Sequence, residues 1–391
     1  MNDFQKAAPR AAARRGLVAG DRPLPLAEAA KRLGATLDDE ARRAARRLPL
    51  RFPEGYVSLA DPADPDDPIR RIVWPDPSEN RPDPEAIDDP VGEAALAEPR
   101  FVVRKHPDRA LFLLTSRCHL YCRYCFRAGH GADPTLPEIE AAIDGLAGDE
   151  RLREVIFSGG DPLTLPDEFL AAALGALARL PRLATVRVHT RAPIHDPARI
   201  TPDLVRALAA SPRPLWIVVH AAHPRELTPR VDEALARLRG AGAALLDQTV
   251  LLRGVNADPA TLAELFLGLY ARQVKPYYLH HPDRVAGGAR FRVTIEEGKR
   301  IAATVRESIP GPAMPSYVLD LPDGSGKTLV ETMERRADGL YVARHADGRE
   351  SLYKDIARNG DSDGAAREAT LILGRRGARR RNVSRAASSV P

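Results

Sequence analysis

From residue 110 onward the chain alternates between two hydrophobic patterns. Short apolar runs at 110–115 (ALFLLT), 154–159 (EVIFSG), 185–190 (TVRVHT), 215–220 (LWIVVH), 248–252 (QTVLL) and 274–279 (VKPYYL) read as strands. Each is followed by a stretch with helical spacing, at 137–147, 167–180, 202–210, 229–241, 259–272 and 295–308. Near-continuous apolar strands separated by helices point to a parallel sheet, because parallel neighbours need a crossover and bury both faces. Six such βα units predict an α/β fold, closed into a full or partial barrel or opened into a doubly wound sheet. Polar residues and glycines gather directly after the strands, at Ser158-Gly159-Gly160-Asp161, Arg191, His220 and Arg253. That is where parallel α/β folds carry their chemistry.

The flanks follow other rules. Residues 24–50 have helical spacing that puts Leu26, Ala30, Leu33 and Leu37 on one face. Residues 52–100 are crowded with Pro and Asp (DPADPDDP, PDPSENRPDPEAIDDP), which break helix and ladder alike. They read either as an extended arm lying over a body, with Ile72, Val73 and Trp74 as anchors, or as a flexible linker. Beyond 310, residues 316–320 (SYVLD) read as a strand and 322–328 (PDGSGKT) as a glycine-containing loop. Residues 340–344 and 351–353 flank a hairpin turn at Asp347-Gly348. The resulting plan is a helical and Pro/Asp-rich arm over 1–100, a barrel over 101–310, a loop-and-hairpin segment over 311–356 and a disordered basic tail over 357–391.

Composition narrows the function. The 391 residues are 44% hydrophobic and 28% charged, an ordinary soluble balance. No apolar run approaches a membrane span, and the start (MNDFQKAAPRAAARRG) has no apolar signal core, so a cytoplasmic protein is expected. The net charge of +5 comes from arginine, 51 against seven lysines, spread along a chain rich in alanine and proline. The one concentrated block, 375–381 (RRGARRR), lies in the tail, and no nucleic-acid function is expected.

All three cysteines fall within eight residues, as Cys118, Cys122 and Cys125 of RCHLYCRYCFR. An odd, clustered set without a signal sequence argues for a metal or redox site rather than a disulfide framework. The C-x3-C-x2-C spacing directly after the first strand can hold three irons of a [4Fe–4S] cluster, leaving the fourth free for a small molecule. The alternative is zinc completed by His119 or His130, in a zinc-binding module without enzymatic function. Structural zinc favours paired knuckles, and there is no second pair.

This motif in this position resembles the radical S-adenosylmethionine (SAM) superfamily, which implies a partial (βα)6 TIM-like barrel and SAM chelating the open iron. Ser158, Gly159, Gly160 and Asp161 are similar to its glycine motif for the methionyl amine; glycines let backbone come close to a ligand. Gln248 and Arg253 stand as candidate SAM contacts. Over residues 100–330 the resemblance extends to the lysine 2,3-aminomutase family. It is carried by HPDR (106–109), YCRYCFR, SGGD, RVHTRAP (187–193), QTVLLRGVN (248–256), VKPYY and DLPDGSGK (320–327).

That resemblance implies a second cofactor, pyridoxal 5'-phosphate, in Schiff-base linkage to Lys327. A phosphate-binding P-loop at Gly324–Thr328 fails, because Leu321 stands where its first glycine must be. Arg109 and Lys105 are candidate phosphate partners. The family pattern assigns the substrate carboxylate to Arg127, whose fork suits it. It assigns the ε-ammonium of lysine to Asp283 and Asp320, a pair that would repel a glutamate side chain. His106 stands where many relatives carry tyrosine, and Ala222 where they carry asparagine, which leaves His220 and His223 as ligand contacts or core residues. The implied enzyme is an isomerase converting L-lysine to β-lysine, a homo-oligomer served by a low-potential electron donor such as flavodoxin or ferredoxin. The runner-up is a lysine isomerase acting on elongation factor P.

Overall fold

The protein's computed structural model describes residues 17–127 and 133–356. The expected tail disorder (357–391) and the candidate ligand His130 lie outside the described residues.

The main sheet has nine strands in simple sequence order: β1 (Val102–Val103), β2 (Arg109–Thr115), β3 (Glu154–Gly159), β4 (Thr185–Thr190), β5 (Leu215–Val219), β6 (Ala244–Val250), β7 (Lys275–His280), β8 (Ser316–Leu321) and β9 (Gly326–Leu329). Strands β2 to β8 run parallel, each paired with the next. β1 and β9 close the two edges in antiparallel sense. The doubly wound alternative needs a point where strand order reverses, and there is none among the described residues. With right-handed crossovers all on one side, the helices cover one face and the sheet curls around the other. The result is a partial barrel.

The helices begin where the sequence provides caps. Thr135, Thr201, Thr228, Asp258 and Thr294 each accept a first-turn N–H, opening Leu136–Leu146, Pro202–Ala209, Pro229–Gly240, Pro259–Ala271 and Ile295–Ser308. Four of these carry proline in the first two positions, where a missing N–H costs no hydrogen bond. Among the described residues no helix is long and apolar enough to cross a membrane.

Three expectations need correction. β6 starts at Ala244, four residues earlier than its apolar run suggests. Asp247 interrupts the hydrophobic pattern, yet it is fully buried and accepts from Ala221 N (2.9 Å) and Thr249 Oγ1 (2.7 Å). The sheet also does not end at residue 310. β8 pairs with β7 through Tyr278 and Ser316, and the β8–β9 hairpin sets Asp320 opposite Lys327.

The Pro/Asp-rich stretch, finally, is no linker: it packs on the body with Ile72, Val73 and Trp74 buried as the arm reading expects, but part of it is helical rather than extended. Asp67 caps a helix at Pro68–Val73 by accepting from Arg70 N (2.9 Å), and Ile69, Ile72, Val73 and Trp74 are buried against the core. Proline at the first helical position and aspartate before it start helices; they break them only further in. Before this stretch the amphipathic segment forms Leu26–Arg32 and Asp39–Ala45, with Leu33 buried and Gly34 (φ 59°) between them. The C-terminal hairpin forms as expected, with β11 (Tyr341–Arg344) and β12 (Glu350–Tyr353) beside the short β10 (Glu334–Arg335) and Gly348 at the turn.

Candidate active site

The concave face of the sheet holds a cavity of about 480 Å³. Alternate strand residues point into it: Ile156 and Ser158 from β3, Arg187 and His189 from β4, Gln248 and Val250 from β6, Tyr278 and His280 from β7. The sequence-derived candidates Cys118, Cys122, Cys125, Ser158, Gly159, Gly160, Asp161, Gln248, Lys105, Arg109, Arg127, Asp283, Asp320 and Lys327 all line it. Arg253 does not: it pairs with Glu297 (2.5 Å) and donates to Arg292 O (2.9 Å), as a rim residue would. His220 lines the cavity, whereas His223 caps the short turn at Pro224–Glu226.

The glycines after β3 have a definite partner. A Cβ at Gly159 (φ 121°) would lie 2.4 Å from Thr115 O, and one at Gly160 2.3 Å from Arg117 O. Gly160 N and Asp161 N donate to those same carbonyls at 2.6 and 2.7 Å. These glycines therefore admit the backbone that leads into the cysteine loop, which is a more local role than ligand approach. Asp161 is a strut. It accepts from Leu163 N (3.0 Å), Thr190 Oγ1 (2.7 Å) and Arg191 N (2.8 Å), tying the ends of β3 and β4 together. Burial opposes its charge, but the nearby His119 ring (3.9 Å) and the Thr190 hydroxyl hold the carboxyl below the usual range.

None of the three cysteines is in a disulfide. Burial pushes Cys118 well up and Cys125 to about 11, so these sulfurs ionise only when a cation arrives to share the site. Arg191 lies beside them, donating to Cys122 Sγ (2.7 Å), Tyr124 Oη (2.7 Å) and Glu226 Oε1 (2.9 Å). Tyr56 of the arm completes this network through Glu226 (2.6 Å). Among the described residues no three His, Cys, Asp or Glu side chains gather around a single-ion position. His119 is buried on Val18 O (3.0 Å) and does not reach the cavity. His119 therefore does not complete a zinc site with the cysteines, and three thiols around a shared cavity suit a larger cluster.

At Lys327 the charges are dense. Its Nζ meets Asp320 at 2.9 and 3.2 Å, and Asp320 also faces His280 (3.7 Å) and Lys105 (3.8 Å). Burial works against Asp320's charge, yet Lys327, His280 and Lys105 hold the carboxyl well below the usual range. Asp283 shows the opposite: burial, then the charge of Asp320, raise it to about 8. Two carboxylates buried at one site thus divide into an ionised and a protonated member. Burial also pushes His220 and His280 down to about 3, leaving them neutral. The loop glycines again serve packing, since a Cβ at Gly326 would lie 2.9 Å from the His106 ring and one at Gly92 2.3 Å from Gly324 N.

Arg127 is held by Glu93 in a two-point pair (2.6 and 2.9 Å), and Arg109 by its neighbour Asp108 (3.0 and 3.1 Å). Arg191 and Tyr278 lie in the RVHTRAP and VKPYY motifs without a role assigned to them there, and Glu93 and Glu226 had no motif to mark them. Their roles come from partners distant in sequence. Several cavity-lining donors, Arg187 Nε, His189 Nε2, Arg191 Nε and His280 Nε2, are buried without a hydrogen-bond partner among the described residues. Orphaned donors around an open volume are what a polar ligand would satisfy.

Comparison with known proteins adds the following. The family model "Radical SAM superfamily" matches residues 112–266. L-lysine 2,3-aminomutase from Clostridium subterminale is 37% identical over 280 residues, covering 70% of this chain and 67% of that protein. L-lysine 2,3-aminomutase from Escherichia coli (strain K12) is 35% identical over 300 residues, 76% of this chain and 87% of that protein. Glutamate 2,3-aminomutase from Clostridioides difficile (strain 630) is 34% identical over 277 residues, 70% and 65% respectively.

Proposed function

The chain belongs to the lysine 2,3-aminomutase family of the radical SAM superfamily, and from that premise we propose that it converts free L-lysine to β-lysine. The observation that carries the choice of lysine is the pair Asp283 and Asp320, which face the same cavity as Lys327. Ionised Asp320, with Asp283 able to ionise beside an arriving ammonium, favours a cationic side chain and penalises an anionic one.

Family membership brings an iron–sulfur cluster and SAM, and the residues present fit them. Cys118, Cys122 and Cys125 would hold three irons, with Ser158, Gly159, Gly160 and Gln248 lining the adjoining space for SAM. Pyridoxal phosphate would be anchored by Lys327, with Arg109 and Lys105 available to its phosphate. When bound, these groups supply a carbon radical that takes hydrogen from the substrate and a conjugated ring that spreads the unpaired electron while nitrogen moves from Cα to Cβ.

The chain's own residues bind, orient and shield. Arg127 receives the α-carboxylate of the substrate. Asp320, which lies 2.9 Å from Lys327 Nζ, would be left for the ε-ammonium when that nitrogen carries the cofactor, with Asp283 lining the same cavity. The neutral His220 and His280 add no positive charge to compete with that ammonium. Tyr277, Tyr278, Phe126 and Phe291 wall the cavity with aromatic surface, keeping water from reactive species. A low-potential donor such as flavodoxin or ferredoxin supplies the electron.

The test is a substrate panel under anaerobic conditions. The protein, reconstituted with iron, sulfide, pyridoxal phosphate, SAM and reductant, is offered free L-lysine, L-glutamate or unmodified elongation factor P. Products are resolved by chromatography and mass spectrometry. β-Lysine from free lysine, lost in Asp320→Asn, is the expected result; turnover on glutamate or elongation factor P alone overturns the reading.

A further inference from the structure

We propose that Glu93, from the N-terminal arm, is the positioning residue that sets Arg127 for the substrate's α-carboxylate; the inference rests on the lysine reading above. Arg127 follows the cysteine loop and stacks its guanidinium over the Phe126 ring at 4.7 Å. An arginine side chain has many rotamers, and a carboxylate site needs one of them. Glu93 fixes it by accepting from Nη1 (2.6 Å) and Nη2 (2.9 Å), in a pair whose side chains are only 12% and 17% exposed. A guanidinium carries five N–H donors, and this end-on pairing uses two. The Nε edge remains for a second carboxylate.

Glu93 is itself rigidly carried. Asp89 accepts from Glu93 N (3.0 Å) and Ala94 N (2.8 Å), and Lys105 Nζ donates to Val91 O (2.5 Å). Gly92 lies so close to Gly324 that neither could carry a side chain without moving backbone. One segment of the arm therefore braces both Arg127 and the Lys327 loop. Pinned on both sides, Glu93 is a fixed support for Arg127 and not a carboxylate waiting to be displaced by substrate.

The experiment compares L-lysine with cadaverine, which is lysine without its carboxylate. Binding to the reconstituted holoenzyme is measured by calorimetry without reductant, so that no turnover occurs, and melting temperature is recorded alongside. The wild type is expected to prefer lysine. Glu93→Gln should lose about tenfold of that preference, the order expected when a charged hydrogen-bonded support is removed. Cadaverine affinity and melting temperature should stay unchanged, and Glu93→Asp should restore part of the preference. Equal or tighter lysine binding by Glu93→Gln overturns the proposal, as does parallel loss for lysine and cadaverine. If Glu93→Gln melts early, Glu93→Asp decides by the same ratio. A wild type with no preference for lysine over cadaverine sinks the assignment of Arg127 and the role of Glu93 with it, whereas a preserved preference in both variants sinks Glu93 alone.

Discussion

Replacing Glu79 by glutamine asks whether the arm holds the cysteine loop through a buried charge. Glu79 and Arg123 have fully buried side chains, and Arg123 sits between two of the cysteines. Their contacts are 3.1 and 2.5 Å, with Arg47 at 3.4 Å and Arg290 at 3.3 Å on the same carboxylate. Arg123 N also donates to Ile72 O (2.8 Å), so the arm grips the loop at this one residue through backbone and side chain. Arg290 keeps Asp76 (2.9 Å) when Glu79 is neutralised, and Arg47 is one-fifth exposed. The main loss is therefore the Arg123 pair. Removing one partner of a buried pair costs about 3–5 kcal/mol, because the other charge is left uncompensated. At about 2 °C per kcal/mol for a protein of this size, the melting temperature should fall by about 6–10 °C. The assay is thermal unfolding of Glu79→Gln, Arg123→Met and the double variant, read by circular dichroism. The double variant should cost less than the sum of the singles, since it leaves no orphaned charge. A shift under about 2 °C, or additive losses, would refute the reasoning.

Four further outcomes are expected. Asp283, raised to about 8 by burial and Asp320, is protonated at neutral pH and ionises as pH climbs; an ammonium favours the ionised form, so KM for lysine should fall between about pH 7 and 9, and Asp283→Asn should flatten that profile. The same raised value means that the group's contribution to stability is present below the ordinary carboxylate range and is lost as pH rises through about 8, which thermal melts of the cofactor-free protein can follow. Borohydride reduction of the pyridoxal phosphate-loaded protein, followed by peptide mass spectrometry, should place the label on Lys327, and Lys327→Ala should abolish it. Gly160→Ala should cost about 1–3 kcal/mol by overpacking and lower iron content after reconstitution, since its Cβ would meet Arg117 O at 2.3 Å; an unchanged iron content would disprove that role.

Much of the frame was legible because local rules agreed. The helix at 295–308 appeared with the expected bounds, and the others within a few residues, where capping residues and first-turn proline coincided with helical spacing. β6 starts earlier than its pattern suggests because Asp247 looks like the end of an apolar run, while one of its two donors, Ala221 N, comes from the end of the neighbouring strand. The arm was ambiguous for a similar reason: Asp67 and Pro68 break a helix or begin one, and only the buried face of Ile69, Ile72 and Val73 decides. At the site, the motif residues converge on one cavity. What no pattern could mark were the charges that steady them, Glu79 on Arg123, Glu93 on Arg127 and Glu226 on Arg191, each pair spanning 34 or more residues.

The most direct test of the central claim follows the nitrogen. L-Lysine carrying heavy nitrogen on its α-amino group is incubated anaerobically with the reconstituted protein, SAM and reductant, and the product is fragmented in the mass spectrometer. The account requires the label on Cβ of β-lysine, with deoxyadenosine formed alongside. Deoxyadenosine with all label still on Cα would contradict it.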